Sequence, residues 1–227
     1  MGEPSVALQA GEEAKISDSN QGVSTSSASR SHSRQKNRRV VIVGIPGVGK
    51  STVVKRVVDL MTERNLKTDI VNYGTTMMEE ATRVHGLKSR DEMRKLPVED
   101  QRRLQIYAAE KISRLERPFV IIDTHLFIVT REGFWPGMPL DVLRALDPTH
   151  LVLVSASLEE IRSRRENDTT RSRDVATLES LELEMDAAKT LLFASSLVCG
   201  CPALIVKNSA GQVDDAAKSI INSVFSN

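Results

Sequence analysis

Cysteine is scarce. In 227 residues there are two, Cys199 and Cys201, set as Cys-Gly-Cys beside an apolar run. Two thiols cannot complete a zinc site by themselves, and a bridge across one intervening residue would be strained. They are read as buried free thiols, which suits a reducing, cytoplasmic setting. A charge surplus is missing too: 31 Lys and Arg against 30 Asp and Glu give a net charge of +1. That balance argues against a global attraction to nucleic acid or an anionic membrane. No apolar stretch approaches the roughly 18 residues that span a bilayer. The first 30 residues lack an apolar core of the kind a secretory signal needs, so none is expected. What remains is a chain with 40% hydrophobic residues, enough for the core of one domain of ordinary size.

Residues 1–37 differ from the rest. They hold ten Ser or Thr, four acidic residues, four Lys or Arg and no aromatic residue, without a periodic apolar pattern. Such a segment buries too little surface to offset its ordering entropy, and a disordered Ser-rich tail is expected. From Arg38 onward, residues 38–227 read as one domain in which short apolar runs alternate with helical patterns. The expected strands are Val40–Gly44, Thr68–Asn72, Phe119–Asp123, Leu151–Ser155 and Ala203–Lys207. Helices are expected from the end of the first glycine-rich loop to about Asn65, and over Thr76–His85, Val98–Leu115, Pro139–Leu146, Ser157–Arg165 and Thr177–Val198. Ser157 and Glu160 have capping-box spacing, and Gly86 and Gly200 are placed to stop the helices before them. Strands alternating with crossover helices predict an α/β fold: a five-stranded parallel sheet with helices on both faces, in three layers.

The most informative segment is Gly44-Ile45-Pro46-Gly47-Val48-Gly49-Lys50-Ser51, directly after the apolar run Val40-Val41-Ile42-Val43. It meets every fixed position of the phosphate-binding loop G-x-x-x-x-G-K-[ST], the P-loop. The glycines let the backbone N–H groups of residues 44 to 52, Pro46 excepted, curl around an anionic oxygen. The helix that opens with Ser51 and Thr52 presents its positive end. Lys50 reaches the β/γ-phosphates and the Ser51 hydroxyl can ligate Mg²⁺. A nucleoside triphosphate is the expected ligand.

Three classes share this loop. A signalling GTPase needs Asp-x-x-Gly after the second metal strand and Asn-Lys-x-Asp to read guanine. Here the third strand ends Asp123-Thr124-His125-Leu126, and the nearest base reader is Lys207-Asn208-Ser209, with wrong order and no acid. A motor ATPase would bring coupling domains that the chain does not suggest. A phosphotransferase needs cations over the transferring phosphoryl group, and residues 162–173 carry five arginines. Arginine's planar fork grips phosphate oxygens in pairs. No arginine follows Arg173, and Arg171 and Arg173 sit in a polar loop, as a short arginine-rich lid over about 164–174 requires.

Six ordered segments now resemble one family, the archaeal-type adenylate kinases, which are nucleoside monophosphate kinases of the P-loop kinase fold. They are the P-loop (44–51), Val-Asn-Tyr-Gly-Thr (71–75), Arg-Asp-Glu-Met-Arg-Lys-Leu (90–96), Ile-Asp-Thr-His (122–125), Trp-Pro-Gly-Met-Pro (135–139) and the lid Arg-Arg-Glu-Asn-Asp-Thr-Thr-Arg-Ser-Arg-Asp (164–174). The resemblance covers about Arg38 to the C-terminus. It implies reversible transfer of a phosphoryl group from ATP to AMP to give two ADP, with Mg²⁺ on the donor. Asp123 would hold the water shell of the ion. Tyr73, Gly74 and Thr75 would form the AMP site, Arg94 would take the AMP phosphate with Arg90 as second candidate, and His125 and Trp135 would border the acceptor. Lys50, Arg164, Arg171 and Arg173 would act on the transferring group, and Asn208 would touch the ATP adenine. No general base is needed, because the AMP phosphate is already an anionic nucleophile.

One departure from long-lid relatives is that the helix after the lid has no arginine, so Arg173 must carry more of the load. The residues also leave open a kinase for CMP, UMP or dTMP, and a nucleotide-dependent RNA- or ribosome-associated factor using the basic stretch Arg30–Arg39. A homotrimer through helices remote from the site, the long Thr177–Val198 helix among them, is a further implication of the resemblance.

Overall fold

The computed structural model describes residues 37–168 and 177–225. The Ser-rich segment expected over 1–37 therefore lies outside the described residues, apart from Asn37. The chain opens with β1 (Arg38–Val43), α1 (Lys50–Glu63), β2 (Thr68–Asn72), α2 (Tyr73–His85) and a single turn, α3 (Arg90–Met93). It continues with α4 (Val98–Ser113), β3 (Phe119–Asp123), β4 (Phe127–Thr130), β5 (Gly133–Pro136) and α5 (Leu140–Leu146). The remainder is β6 (His150–Ser155), α6 (Leu158–Glu166), α7 (Leu178–Cys199), β7 (Ala203–Lys207) and α8 (Val213–Val224).

Five strands form one parallel sheet in the order β2-β3-β1-β6-β7. Central Val41 lies beside Ile122 on one side and Leu151 on the other. Val40–Val43, Val120–Ile122 and Leu151–Val154 are fully buried. Such unbroken apolar runs are what a sheet covered on both faces requires. The connections from β1 to β2 and from β2 to β3 cross the sheet in opposite directions, so right-handed crossovers put their helices on opposite faces. α1 packs with α8, while α2, α4, α5 and α7 pack in succession. Every strand of the sheet ends at the same edge, where the P-loop, Asn72, Asp123, Ser155 and Lys207 emerge. Open α/β sheets bind ligands at that edge.

The five expected strands are all present, with β1 and β6 starting one or two residues early. Helix α1 stops at Glu63, and Asn65 turns the chain with φ 57°. Helix α2 starts at Tyr73 rather than Thr76 because the Asn72 side chain accepts the Thr75 N–H and caps it there. The Ser157–Glu160 capping box forms, and α7 is capped by Thr177 and halted at Gly200, φ 62°. Besides the single turn α3, a two-stranded ribbon and a C-terminal helix were not expected. Trp135–Pro139, read as a rigid loop, begins inside β5, which pairs antiparallel with β4; Pro136 is tolerated as the last residue of this two-stranded ribbon. Helix α8 buries Ala216, Ala217, Ile220, Ile221 and Val224, a spacing of one helical stripe against α1.

Candidate active site

The P-loop joins β1 to α1, with Gly47 at φ 92° and Gly49 at φ 81°, both in the left-handed region that a side chain resists. Gly44 is crowded for another reason: a Cβ there would meet Val48 Cγ2 at 2.8 Å and the Val154 carbonyl at 3.0 Å. Gly49 caps α1 without a side-chain bond, and the first turn has no acidic residue, so nothing negative competes for the open N–H groups. The hydroxyl-bearing Ser51 and Thr52 are exposed on that turn.

Lys50 is buried at 8% exposure and ion-paired to Asp123, the last residue of β3. Burial draws its ammonium down to about 8 from the ordinary 10.5. The other Asp123 oxygen accepts from Asn72 Nδ2 at 3.0 Å. Asn72 Oδ1 in turn accepts from the Thr75 N–H at 3.0 Å, the Thr75 hydroxyl at 3.0 Å and Arg90 Nη2 at 3.1 Å. A continuous polar chain thus runs from Lys50 to Arg90. Asn72 is its middle link and was missed by sequence reasoning. The signal available was a cap-forming Asn at the end of a strand. Asp123 and Ser51 supply a carboxylate and a hydroxyl at this edge, hard oxygen donors that fit Mg²⁺.

The acceptor-side expectations are placed unevenly. Gly74 lies against Arg90, whose guanidinium carbon is 3.5 Å from where a Cβ would stand. Arg90 also donates to the Thr75 hydroxyl at 3.0 Å. Arg94, the arginine expected at the AMP phosphate, instead pairs with Asp91 at 2.7 Å on the exposed surface. One turn of α3 turns the two arginines to different sides, and Arg90 is the one that lies beside Gly74 and Thr75. Tyr73 is a core residue: it is 2% exposed and its hydroxyl donates to the Gln105 carbonyl on α4, so its ring cannot line a substrate pocket. His125 Nδ1 lies 3.0 Å from the Gly44 carbonyl, against the P-loop. Trp135 stands half-buried on β5 opposite Ile128. The stem of that ribbon is fixed by Gln105 Nε2, which donates to the Pro136 carbonyl at 3.3 Å, and by Gly137, where a Cβ would strike the His125 carbonyl.

Two donor-side expectations fall on residues that meet the back of the P-loop. Asn208, expected at the adenine, is 3% exposed beneath the P-loop, where its Nδ2 donates to the Val48 carbonyl at 2.8 Å and crowds Gly49. Arg164, expected as a lid arginine, donates to the Val48 carbonyl at 3.2 Å and the Asn208 carbonyl at 3.2 Å, and pairs with Glu160. Both brace the loop from behind, because a loop that turns its N–H groups inward turns its carbonyls outward, and those need donors. Arg171 and Arg173 lie outside the described residues.

This cradle, on a 2-3-1 parallel core with a lysine and a strand-end aspartate, defines a P-loop phosphotransferase. Among solved structures, shikimate kinase from Bacteroides thetaiotaomicron aligns with 83% of this chain and 99% of its own at TM-score 0.53 and 14% identity. Shikimate kinase from Acinetobacter baumannii covers 84% and 94% at TM-score 0.51 and 14% identity. At such identity these likenesses concern the fold alone. The AAA domain family model matches residues 43–182. The adenylate kinase of Methanocaldococcus jannaschii is 37% identical over 187 residues, 82% of this chain and 97% of the relative. That of Sulfurisphaera tokodaii is 38% identical over 190 residues, 82% and 98%. The chain belongs to the AAA domain family and to the adenylate kinase family.

Proposed function

We propose that this chain catalyses Mg²⁺-dependent, reversible phosphoryl transfer from ATP to AMP, giving two ADP. The carrying observation is the polar chain Lys50–Asp123–Asn72–Arg90, which runs across the ends of β3 and β2 and joins a phosphate cradle to a second cationic position, Arg90 on α3. ATP seats its β- and γ-phosphates on the P-loop amides, and Lys50 exchanges its bond to Asp123 for phosphate oxygens. Ser51 and Asp123 are the residues that would hold Mg²⁺, Asp123 through water. When bound, the ion neutralises charge on the β/γ oxygens. Arg90, with Thr75 beside it, receives the AMP phosphate, and Gly74 leaves the room this needs. An AMP phosphate oxygen forms the new bond to the γ-phosphorus as the bond from that phosphorus to the ADP oxygen breaks. Both oxygens are anionic at neutral pH, so no proton has to move and no base is required. Arg171 and Arg173 are the cations we assign to the charge that spreads over the transferring oxygens.

The two free cysteines support a cytoplasmic setting, and among the described residues no helix is long and apolar enough to cross a membrane. Exposed Leu183, Phe193 and Leu197 on α7 support self-association as a homotrimer, which light scattering measures directly. The reaction is tested by supplying purified protein with MgATP and AMP, CMP, UMP or dTMP in turn. AMP should turn over fastest, and a bisubstrate mimic joining two adenosines should block it. No ADP from the ATP and AMP mixture would sink the reading.

A further inference from the structure

The outward carbonyls of the P-loop are met by a set of donors that the phosphoryl chemistry does not use. Val48 is held by Asn208 and Arg164, and Gly44 faces His125. The Pro46 carbonyl, at the crown of the loop, accepts from Arg165 Nε at 2.8 Å. Arg165 uses its other two nitrogens on Glu184 of α7, Nη1 to Oε1 at 3.0 Å and Nη2 to Oε2 at 2.7 Å. Both side chains are 11% exposed, and Glu184 lies on the buried face of α7 together with Leu181, Met185 and Ala188. The contact is close-fitting as well as polar: a Cβ on Gly47 would stand 3.1 Å from Arg165 Cγ and 3.0 Å from the Ile161 carbonyl.

A guanidinium this near a triphosphate site would ordinarily be taken for a phosphate ligand. Its geometry favours another role here, since each of its three nitrogens donates to a protein oxygen and the bidentate carboxylate neutralises its charge. We infer that Arg165 is a positioning residue: neutralised and aimed by Glu184, it fixes the Pro46 carbonyl outward and so holds the Gly47 N–H of the same peptide, and with it the loop on to Gly49, turned toward the donor phosphates. The pair acts on ATP and has no part in seating the acceptor. A buried ion pair is an expensive way to hold a fold, since a well-packed apolar pair of similar volume serves stability equally well or better. Its presence behind the loop is explained by the third bond, to Pro46.

The inference rests on the ATP-donor reading, and the experiment separates the two. If wild-type protein makes no ADP from ATP and AMP, that reading fails; the present inference fails only against an active wild type. In Arg165→Met/Glu184→Met the apolar replacement keeps the packing but removes the Pro46 bond. The melting temperature should stay within a few degrees of wild type, KM for MgATP should rise about tenfold, the value of one charge-assisted hydrogen bond, and KM for AMP should move less than twofold. Unchanged KM for MgATP in the folded double variant overturns the proposal, and so does equal weakening of both nucleotides, which is what a merely structural pair would give. Should the double variant not fold, Arg165→Lys decides. Its ammonium can serve Glu184 or Pro46 but cannot fork to both. A selective rise in KM for MgATP supports positioning, and wild-type kinetics refute it.

Discussion

The two nucleotide-facing halves of this edge are built differently. On the proposed donor side the loop is packed from behind by buried Asn208 and Glu184 and by the mostly covered Arg165, and Lys50 itself is buried. On the acceptor side, Thr75, Arg90 and Arg94 are exposed, and their bonds run to one another and to Asn72 or Asp91. A triphosphate gripped by amides needs those amides fixed in advance, since each carries only a partial charge and cannot afford reorganisation. An acceptor that must enter and leave within each turnover is better served by side chains held in water-accessible bonds that exchange readily. On the proposed assignment, preorganisation is concentrated where the donor would sit.

That contrast can be broken most severely at the donor cation. Lys50→Ala should leave the fold intact and lower kcat by roughly two to three orders of magnitude; Arg171→Ala, removing a cation that we assign to the transferring oxygens, should reach about a thousandfold. Turnover near wild type in Lys50→Ala, followed by a coupled ADP assay, would remove the basis of the donor site. On the acceptor side the effect should be smaller and selective. Arg90→Ala should raise KM for AMP by roughly 10- to 100-fold, the worth of a charge-assisted contact, with KM for ATP little changed, whereas Arg94→Ala should stay within twofold. The reverse ranking would restore Arg94 to the AMP phosphate.

Titration sharpens the comparison further. Burial holds Lys50 at about 8, below its ordinary 10.5, so the cation needed for phosphate is lost as pH rises through about 8. ATP affinity measured by calorimetry should therefore decline above that pH while AMP affinity, which depends on arginine, stays level. A flat ATP profile to pH 10 would contradict it. Smallest of all, Tyr73→Phe removes one buried hydrogen bond to Gln105 and should cost about 1 kcal/mol of stability with unchanged kinetics. A raised KM for AMP would return the phenol to the substrate pocket.

Much of this was legible in the chain. The central strands are buried on both faces, so each is written as an uninterrupted apolar run, and the P-loop is specified residue by residue. Other features depend on partners distant in sequence. Tyr73 and Thr75 are two residues apart, yet one faces the core and the other the acceptor, because Asn72 starts the helix earlier than Gly74 suggests. Arg90 and Arg94 are indistinguishable in composition; the Ser89 cap and the Asp91 pair separate them. Arg164 and Asn208 look like ligand contacts in sequence because donors for a loop's carbonyls and donors for its phosphates are the same residue types. Helix α8 was readable, since Val213, Ala216, Ala217, Ile220 and Ile221 follow a helical stripe, whereas the β4–β5 ribbon was hidden by Gly133, Pro136 and Gly137, which read as a turn.

That ribbon has a practical consequence. Its base is pinned beside the catalytic edge by Gln105 and by the flush fit of Gly137, but its tip, Arg131 and Glu132, is exposed, and a Cβ at Gly133 would touch nothing within 4 Å. A fluorophore or short peptide insert placed at the tip would therefore project into solvent from a base that packing holds in place, and the fold should tolerate it there.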